Sequence, residues 1–96
     1  MRTRFVLLTN DPTRVEKDRI SGLFREEKVG WWHWYQDVWI VNDSKGRSLK
    51  WWRDRLREES RGTHMLLLEI PKGATWSAAG HKKHFEWLHR NWKDPD

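Results

Sequence analysis

The chain has 96 residues, a net charge of +5 and no cysteine, with a sequence pI near 9.9 and a mean hydropathy of −1.02. That length suits one domain with a single core and is too short for two, and the missing cysteine excludes both a disulfide framework and a thiolate metal site. Only 36% of the residues are apolar, yet nine are tryptophan, each able to bury roughly 150–250 Å², so the expectation is one aromatic-heavy fold over residues 1–96.

Phe5-Val6-Leu7-Leu8-Thr9 is a β-competent run closed by the turn signal Asn10-Asp11-Pro12. Thr13 followed by Glu16 has the form of a capping box. Val15, Ile20, Leu23 and Phe24 then mark a helical stripe towards Gly30. The aromatic runs Gly30-Trp31-Trp32-His33-Trp34-Tyr35 and Val38-Trp39-Ile40-Val41 read as two strands joined at Gln36-Asp37, where a tight hairpin turn fits. After the turn cluster Asn42-Asp43-Ser44-Lys45-Gly46, Ser48 can cap a second helix reaching about Ser60, with Leu49, Trp52 and Leu56 on one face. Gly62 stops it. His64 to Ile70 reads as a fourth strand, ended by Pro71-Lys72-Gly73. A small-residue loop holding Trp76 then leads to a third helix, His81 to Trp92, with Phe85, Leu88 and Trp92 on one side. The tail Lys93-Asp94-Pro95-Asp96 is expected to fray.

The order βαββαβ plus a helix predicts an α+β, ferredoxin-like domain: a four-stranded antiparallel sheet with both crossover helices on one face and an extra C-terminal helix. The strands are apolar at consecutive positions, so the second face also needs a cover. The third helix, a second protomer and a stacked ligand are the three candidates. Strict alternation places Trp31, His33 and Tyr35 on one face and Trp32 and Trp34 on the other, and makes Trp31, Trp32, Trp34 and Trp39 the core and dimer-seam aromatics.

Between Lys45 and Arg61 seven basic residues stand against Asp54, Glu58 and Glu59. Lys50, Arg53, Arg57 and Arg61 recur at i, i+3, i+7 and i+11, a single stripe on the second helix. With Arg47 and Trp51 they form the candidate nucleic-acid surface, to which Arg2 and Arg4 could add. The bland alternatives are a solvated face laced by Asp54 and Glu58, and packing of Trp51 against the third helix. His81 and His84 have a ligand-like i, i+3 spacing but no third or fourth metal ligand beside them. His33 reads as a hydrogen-bonded packing residue. No phosphate-binding glycine loop or nucleophile motif is present. The longest apolar run, Met65-Leu66-Leu67-Leu68, is far below the ~18–20 residues of a membrane span. With no signal-peptide pattern at Met1-Arg2-Thr3-Arg4-Phe5, no membrane association and a cytoplasmic location are expected.

The motif Gly30-Trp31-Trp32-His33, then Val38-Trp39-Ile40-Val41, Leu66-Leu67-Leu68-Glu69 and the loop with Trp76 resembles the SinR-like proteins, small relatives of the CRISPR-associated Cas-two family. The resemblance runs from Phe5 to Trp92. It implies a homodimer built sheet against sheet, serving as a nucleic-acid-holding scaffold for DNA or RNA; a larger protein complex is the partner in a separate reading, the interaction module. In the wider family the first strand ends in Tyr-Asp, with the aspartate placed to hold magnesium. Here Asp11 takes that place and Asn10 replaces the tyrosine, so the resemblance makes Asp11 the candidate catalytic and Mg²⁺-binding residue. Two further readings stay open beside the scaffold: a magnesium-dependent endonuclease working through paired Asp11, and a protein-interaction module.

Overall fold

The computed structural model describes residues 2–92. The elements are β1 (Thr3–Thr9), α1 (Arg14–Glu26), β2 (Gly30–Tyr35), β3 (Val38–Asp43), α2 (Leu49–Glu59), β4 (Met65–Glu69), a 3-10 turn (Lys82–Phe85) and α3 (Glu86–Asn91). The strands make one antiparallel sheet in the order β2-β3-β1-β4. This is the expected ferredoxin-like α+β plan with an added C-terminal helix. The tail expected to fray, residues 93–96, lies outside the described residues. No helix among them is long and apolar enough to cross a membrane.

Local signals fix the helix starts. Glu16 N–H donates to Thr13 Oγ1 at 3.1 Å while Thr13 N–H donates to Glu16 Oε1 at 2.8 Å, a complete capping box. Ser48 Oγ accepts from Trp51 N–H at 3.1 Å and caps α2. Glu16 has a second task, because Thr63 Oγ1 donates to its other carboxylate oxygen and links the start of α1 to the turn after α2. The backbone N–H and side chain of Thr13, with that hydroxyl, hold the Glu16 carboxyl below its ordinary range.

The two crossover helices pack on one face of the sheet. Phe5, Leu7, Trp39 and Val41 from the strands meet Ile20, Leu23 and Phe24 of α1 and Trp52 and Leu56 of α2, all essentially inaccessible to solvent. Trp52 sits centrally, with ring centroids 5.5 Å from Phe5 and 5.7 Å from Phe24. Trp31 joins this side over Phe24 at 6.2 Å, and His33 lies parallel on Trp39 at 3.8 Å with its Nδ1 within 2.9 Å of the Val38 carbonyl oxygen. His33 is thus the packing residue that the sequence suggested.

A buried carboxylate closes the same core at its edge. Asp43, at the end of β3, is fully buried. It accepts from Lys45 N–H at 3.0 Å, Arg47 N–H at 3.1 Å, Arg47 Nε at 3.0 Å and Trp52 Nε1 at 3.0 Å. Gly46, at φ 68, supplies the left-handed turn that lets the chain fold back over the carboxylate. Burial alone pushes this carboxyl up, but the Arg47 guanidinium, the two backbone N–H groups and the Trp52 indole outweigh it and hold Asp43 below the usual range.

The second face of the sheet is covered in part. Trp32 from β2 packs with Phe85 and Leu88 from the C-terminal segment, flanked by Val38, Ile40, Trp76, Trp87 and Trp92. Trp32 Nε1 donates to the His84 carbonyl at 2.6 Å and Trp92 Nε1 to the Ala74 carbonyl at 2.8 Å, so the indoles anchor backbone as well as fill space. A Cβ on Gly30 would stand 3.0 Å from the Trp87 ring, which explains a residue without a side chain there. The third helix is therefore the cover over β2 and β3. Over Val6 and Leu8 of β1 and over β4 the described residues leave the cover incomplete: Leu66 and Leu68 are 55% and 50% exposed beside the half-buried Val6 and Leu8.

The strict alternation expected for β2 fails at its end. A β-bulge between Trp32 and Tyr35 shifts the register, so Tyr35 pairs with Val38 and its ring meets Trp32 edge-on at 4.9 Å. Tyr35 consequently shares the face of Trp32 and not that of Trp31.

Asp43→Ala should lower the free energy of unfolding by about 3 kcal/mol, because it leaves the Trp52 N–H unpaired and takes from Arg47 one of its two carboxylate partners, Glu27 remaining, as measured by urea denaturation. The sign of the pH dependence follows from the depressed Asp43 carboxyl. Its contribution is fully present above the unfolded-state value of about 3.9 and fades progressively as pH falls below it. Wild type should show that acid-side loss in thermal unfolding, and Asp43→Asn should show less of it.

Candidate nucleic-acid interface

Lys50, Arg53 and Arg57 project from α2 opposite the buried Trp52 and Leu56, as the 3.6-residue period requires. Their side chains are 77%, 52% and 73% exposed. One acid serves all three: Asp54 is 2.9 Å from Arg53, 3.4 Å from Lys50 and 3.7 Å from Arg57. The Arg53 hydrogen bonds hold the Asp54 carboxyl below its ordinary range. Arg61 is exposed, but α2 ends at Glu59 and Ser60 leaves the helical conformation, so the helical period that put Arg61 on the same stripe does not reach it. Lys50 and Arg53 also border an open groove of about 330 Å³ whose remaining lining is Leu49, Met65, Leu66 and Leu67. The band therefore runs beside the exposed strand β4.

Arg47 stands apart from these residues. Its NH1 is 2.5 Å from Glu27, its Nε is 3.0 Å from Asp43, and its guanidinium lies 4.4 Å from the Trp51 ring and 4.9 Å from the Trp52 ring. Asp43 and Glu27 raise its pKa against the opposing effect of burial. Arg55 makes a similar link, reaching Glu26, Glu27 and Glu59. Two of the seven cations in this segment thus tie α2 and its leading loop to the end of α1. Sequence spacing shows Asp43 and Arg47 four apart but gives no sign that Glu27 is near.

Trp51 is 36% exposed, stacked by Arg47 and edge-on to Trp52 at 5.0 Å. It lies on the helix side of the sheet, opposite α3, so the alternative of packing against the third helix does not apply. Arg4, considered as a phosphate contact, is 5% exposed on the second face beneath the Trp92 ring, 5.2 Å from its centroid. It is a packing residue.

Of the four predicted core or seam aromatics, Trp39 is fully buried in the first core, Trp31 is half-buried at its margin and Trp32 is buried in the second. Trp34 is 47% exposed and belongs to neither core.

Asp11 is exposed at the end of β1, with φ 47. Aspartate tolerates this left-handed conformation better than most residues with a side chain. Asp11 thus makes the turn, while Thr13 caps α1. Among the described residues no three His, Asp or Glu side chains gather as metal ligands, at Asp11 or elsewhere. His81 and His84 stack on each other and likewise lack further ligands.

No family model, curated protein or solved structure matches the chain.

The division of the cations has a stability signature. Arg47→Ala should cost about 1.5–3 kcal/mol through its lost charged hydrogen bonds, whereas Lys50→Ala and Arg57→Ala should stay within about 0.5 kcal/mol of wild type. Parallel urea unfolding of the three variants checks the assignment. At Asp11, replacement by glycine should leave the melting temperature level or raise it, and replacement by valine should lower it, because the turn needs a positive φ.

Proposed function

We propose that the protein is a sequence-independent nucleic-acid-binding scaffold that acts as a homodimer. The observation that carries this reading is the α2 band. Lys50, Arg53 and Arg57 face solvent on α2 with Asp54 as their shared acid, beside an apolar groove, and Arg61 is exposed in the turn that follows. Phosphates spaced along a strand can replace the solvent around such a band and release its counterions. The band consists of long cationic side chains, which neutralise phosphates whatever the sequence, so the contact is read as one to the backbone.

The dimer reading is supported by β4. This edge strand pairs on one side with β1, carries no proline or charge from Met65 to Leu68, and leaves Leu66 and Leu68 exposed. Monomeric proteins guard such edges. A second copy laid against Val6, Leu8, Leu66 and Leu68 would complete the face that α3 covers elsewhere, in line with the resemblance to the SinR-like and Cas-two proteins. The endonuclease reading rests on the resemblance alone, through Asp11 and its mate in a second copy.

Binding of labelled duplex DNA should fall steeply with salt, with a log-log slope of about −0.9 for each phosphate neutralised. Replacing Arg57 or Arg53 by glutamine should reduce the slope by about 1 each, and Asp11→Asn should change neither binding nor the integrity of the oligonucleotide in magnesium. Salt-independent binding, or binding unchanged by both arginine variants, refutes the scaffold. Light scattering should give twice the chain mass for wild type and a single chain for Leu66→Asp/Leu68→Asp. A monomeric wild type refutes the dimer.

A further inference from the structure

Trp34 heads a column of flat rings on the side of the sheet opposite α2. The column begins with the anchoring of the C-terminal segment. Trp32 Nε1 holds the His84 carbonyl at 2.6 Å and so seats the 3-10 turn against β2. In a 3-10 turn the side chains at i and i+3 eclipse one another. His84 N–H donates to the His81 carbonyl at 3.0 Å, and the two imidazoles consequently stack, with centroids 5.4 Å apart and planes 25° apart. Two residues beyond Trp32, at the bulge, Trp34 lies on the His84 ring at 4.1 Å and 15°. The order of rings is Trp34, His84, His81.

This column lies outside both cores. Trp34 remains 47% exposed with His84 as its ring partner, Tyr35 beside it is 50% exposed, and His81 is exposed. The segment that supplies the imidazoles carries Lys82, Lys83 and Arg90 against Glu86, all exposed, so the local charge is positive. A half-exposed indole held parallel to its neighbour, with lysines on the adjoining turn, has the properties that an unpaired base and its phosphate need.

We infer that Trp34, stacked on His84, is a second nucleic-acid site that takes an unpaired base of a single strand, while Lys82 and Lys83 meet its phosphates. The inference rests on the nucleic-acid reading for its class of ligand and extends it from backbone to base. It also predicts a preference that the α2 band lacks, because bases in a duplex already stack on each other and offer no free face to Trp34.

The test compares fluorescence-anisotropy binding of three probes of equal length: a thymidine single strand, the same strand with abasic sites throughout, and a duplex. Wild type should favour the base-bearing strand over the abasic one by about 5- to 150-fold. Trp34→Ala should abolish that ratio, and Trp34→Phe, which retains a ring, should restore most of it. Lys50→Glu/Arg53→Glu should weaken all three probes by a similar factor. Equal wild-type affinity for base-bearing and abasic strands, or a ratio that survives Trp34→Ala, overturns the Trp34 site and leaves the α2 reading standing. A ratio lost in Trp34→Ala with no effect of the α2 variant sustains the Trp34 site and removes α2. Failure of wild type to bind any probe overturns both.

Discussion

The geometry of the whole helix face depends on one buried carboxylate. Asp43 takes an N–H from each of the next loop's key positions, the guanidinium of Arg47 and the indole of Trp52. An unpaired charge at that depth would cost several kcal/mol, so the partners must be present together. Their joint requirement sets the path of the loop, the first turn of α2 and the orientation of its largest core residue. Once Trp52 points inwards, the helical period leaves Lys50, Arg53 and Arg57 no choice but to point outwards. The charged surface is thus a consequence of how the core is closed.

That arrangement also explains why similar residues in one segment have different work. Arg47 and Arg55 bridge to the acids at the end of α1, while Lys50, Arg53 and Arg57 share Asp54 in solvent. Surface pairs of the second kind contribute little to stability and exchange readily for other anions. Buried or flanked pairs of the first kind do not. The count of basic residues therefore overstates the exchangeable cationic surface by the arginines that the fold uses.

Much of the architecture was legible in the residues because local and global signals agree. The Thr13-Glu16 box, the Ser48 cap, the Gly62 stop and the short hairpin all lie where the spacing put them. The partial cover on the second face was not legible, since two-sided apolar strands demand a cover without saying how far it reaches. The bulge in β2 was hidden for a related reason. Alternation is the rule for a regular strand, and in Trp31-Trp32-His33-Trp34-Tyr35 every residue carries a large flat ring, so no change of side-chain type marks the slip between Trp32 and Tyr35. The Trp34 column was missed with it, because stacking on His84 joins residues fifty positions apart through a 3-10 turn where the sequence suggested one continuous α-helix.

The C-terminal cover has a further consequence, which concerns cooperativity. Its helical pieces are short, a 3-10 turn and a six-residue α3, and neither is long enough to persist alone in water. The segment is fixed to the sheet by indoles and by side-chain bonds such as Trp32 to His84, with no strand of its own in the ladder. It can come away without breaking one strand-to-strand hydrogen bond, which makes it a separable unit whose amides exchange through partial opening before the sheet unfolds. Trp34 keeps its place on β2 in that open form but loses the imidazole beneath it. Any flat molecule that requires the intact column therefore reports on, and stabilises, the closed form, so occupancy of the stack and docking of the last helix are thermodynamically linked.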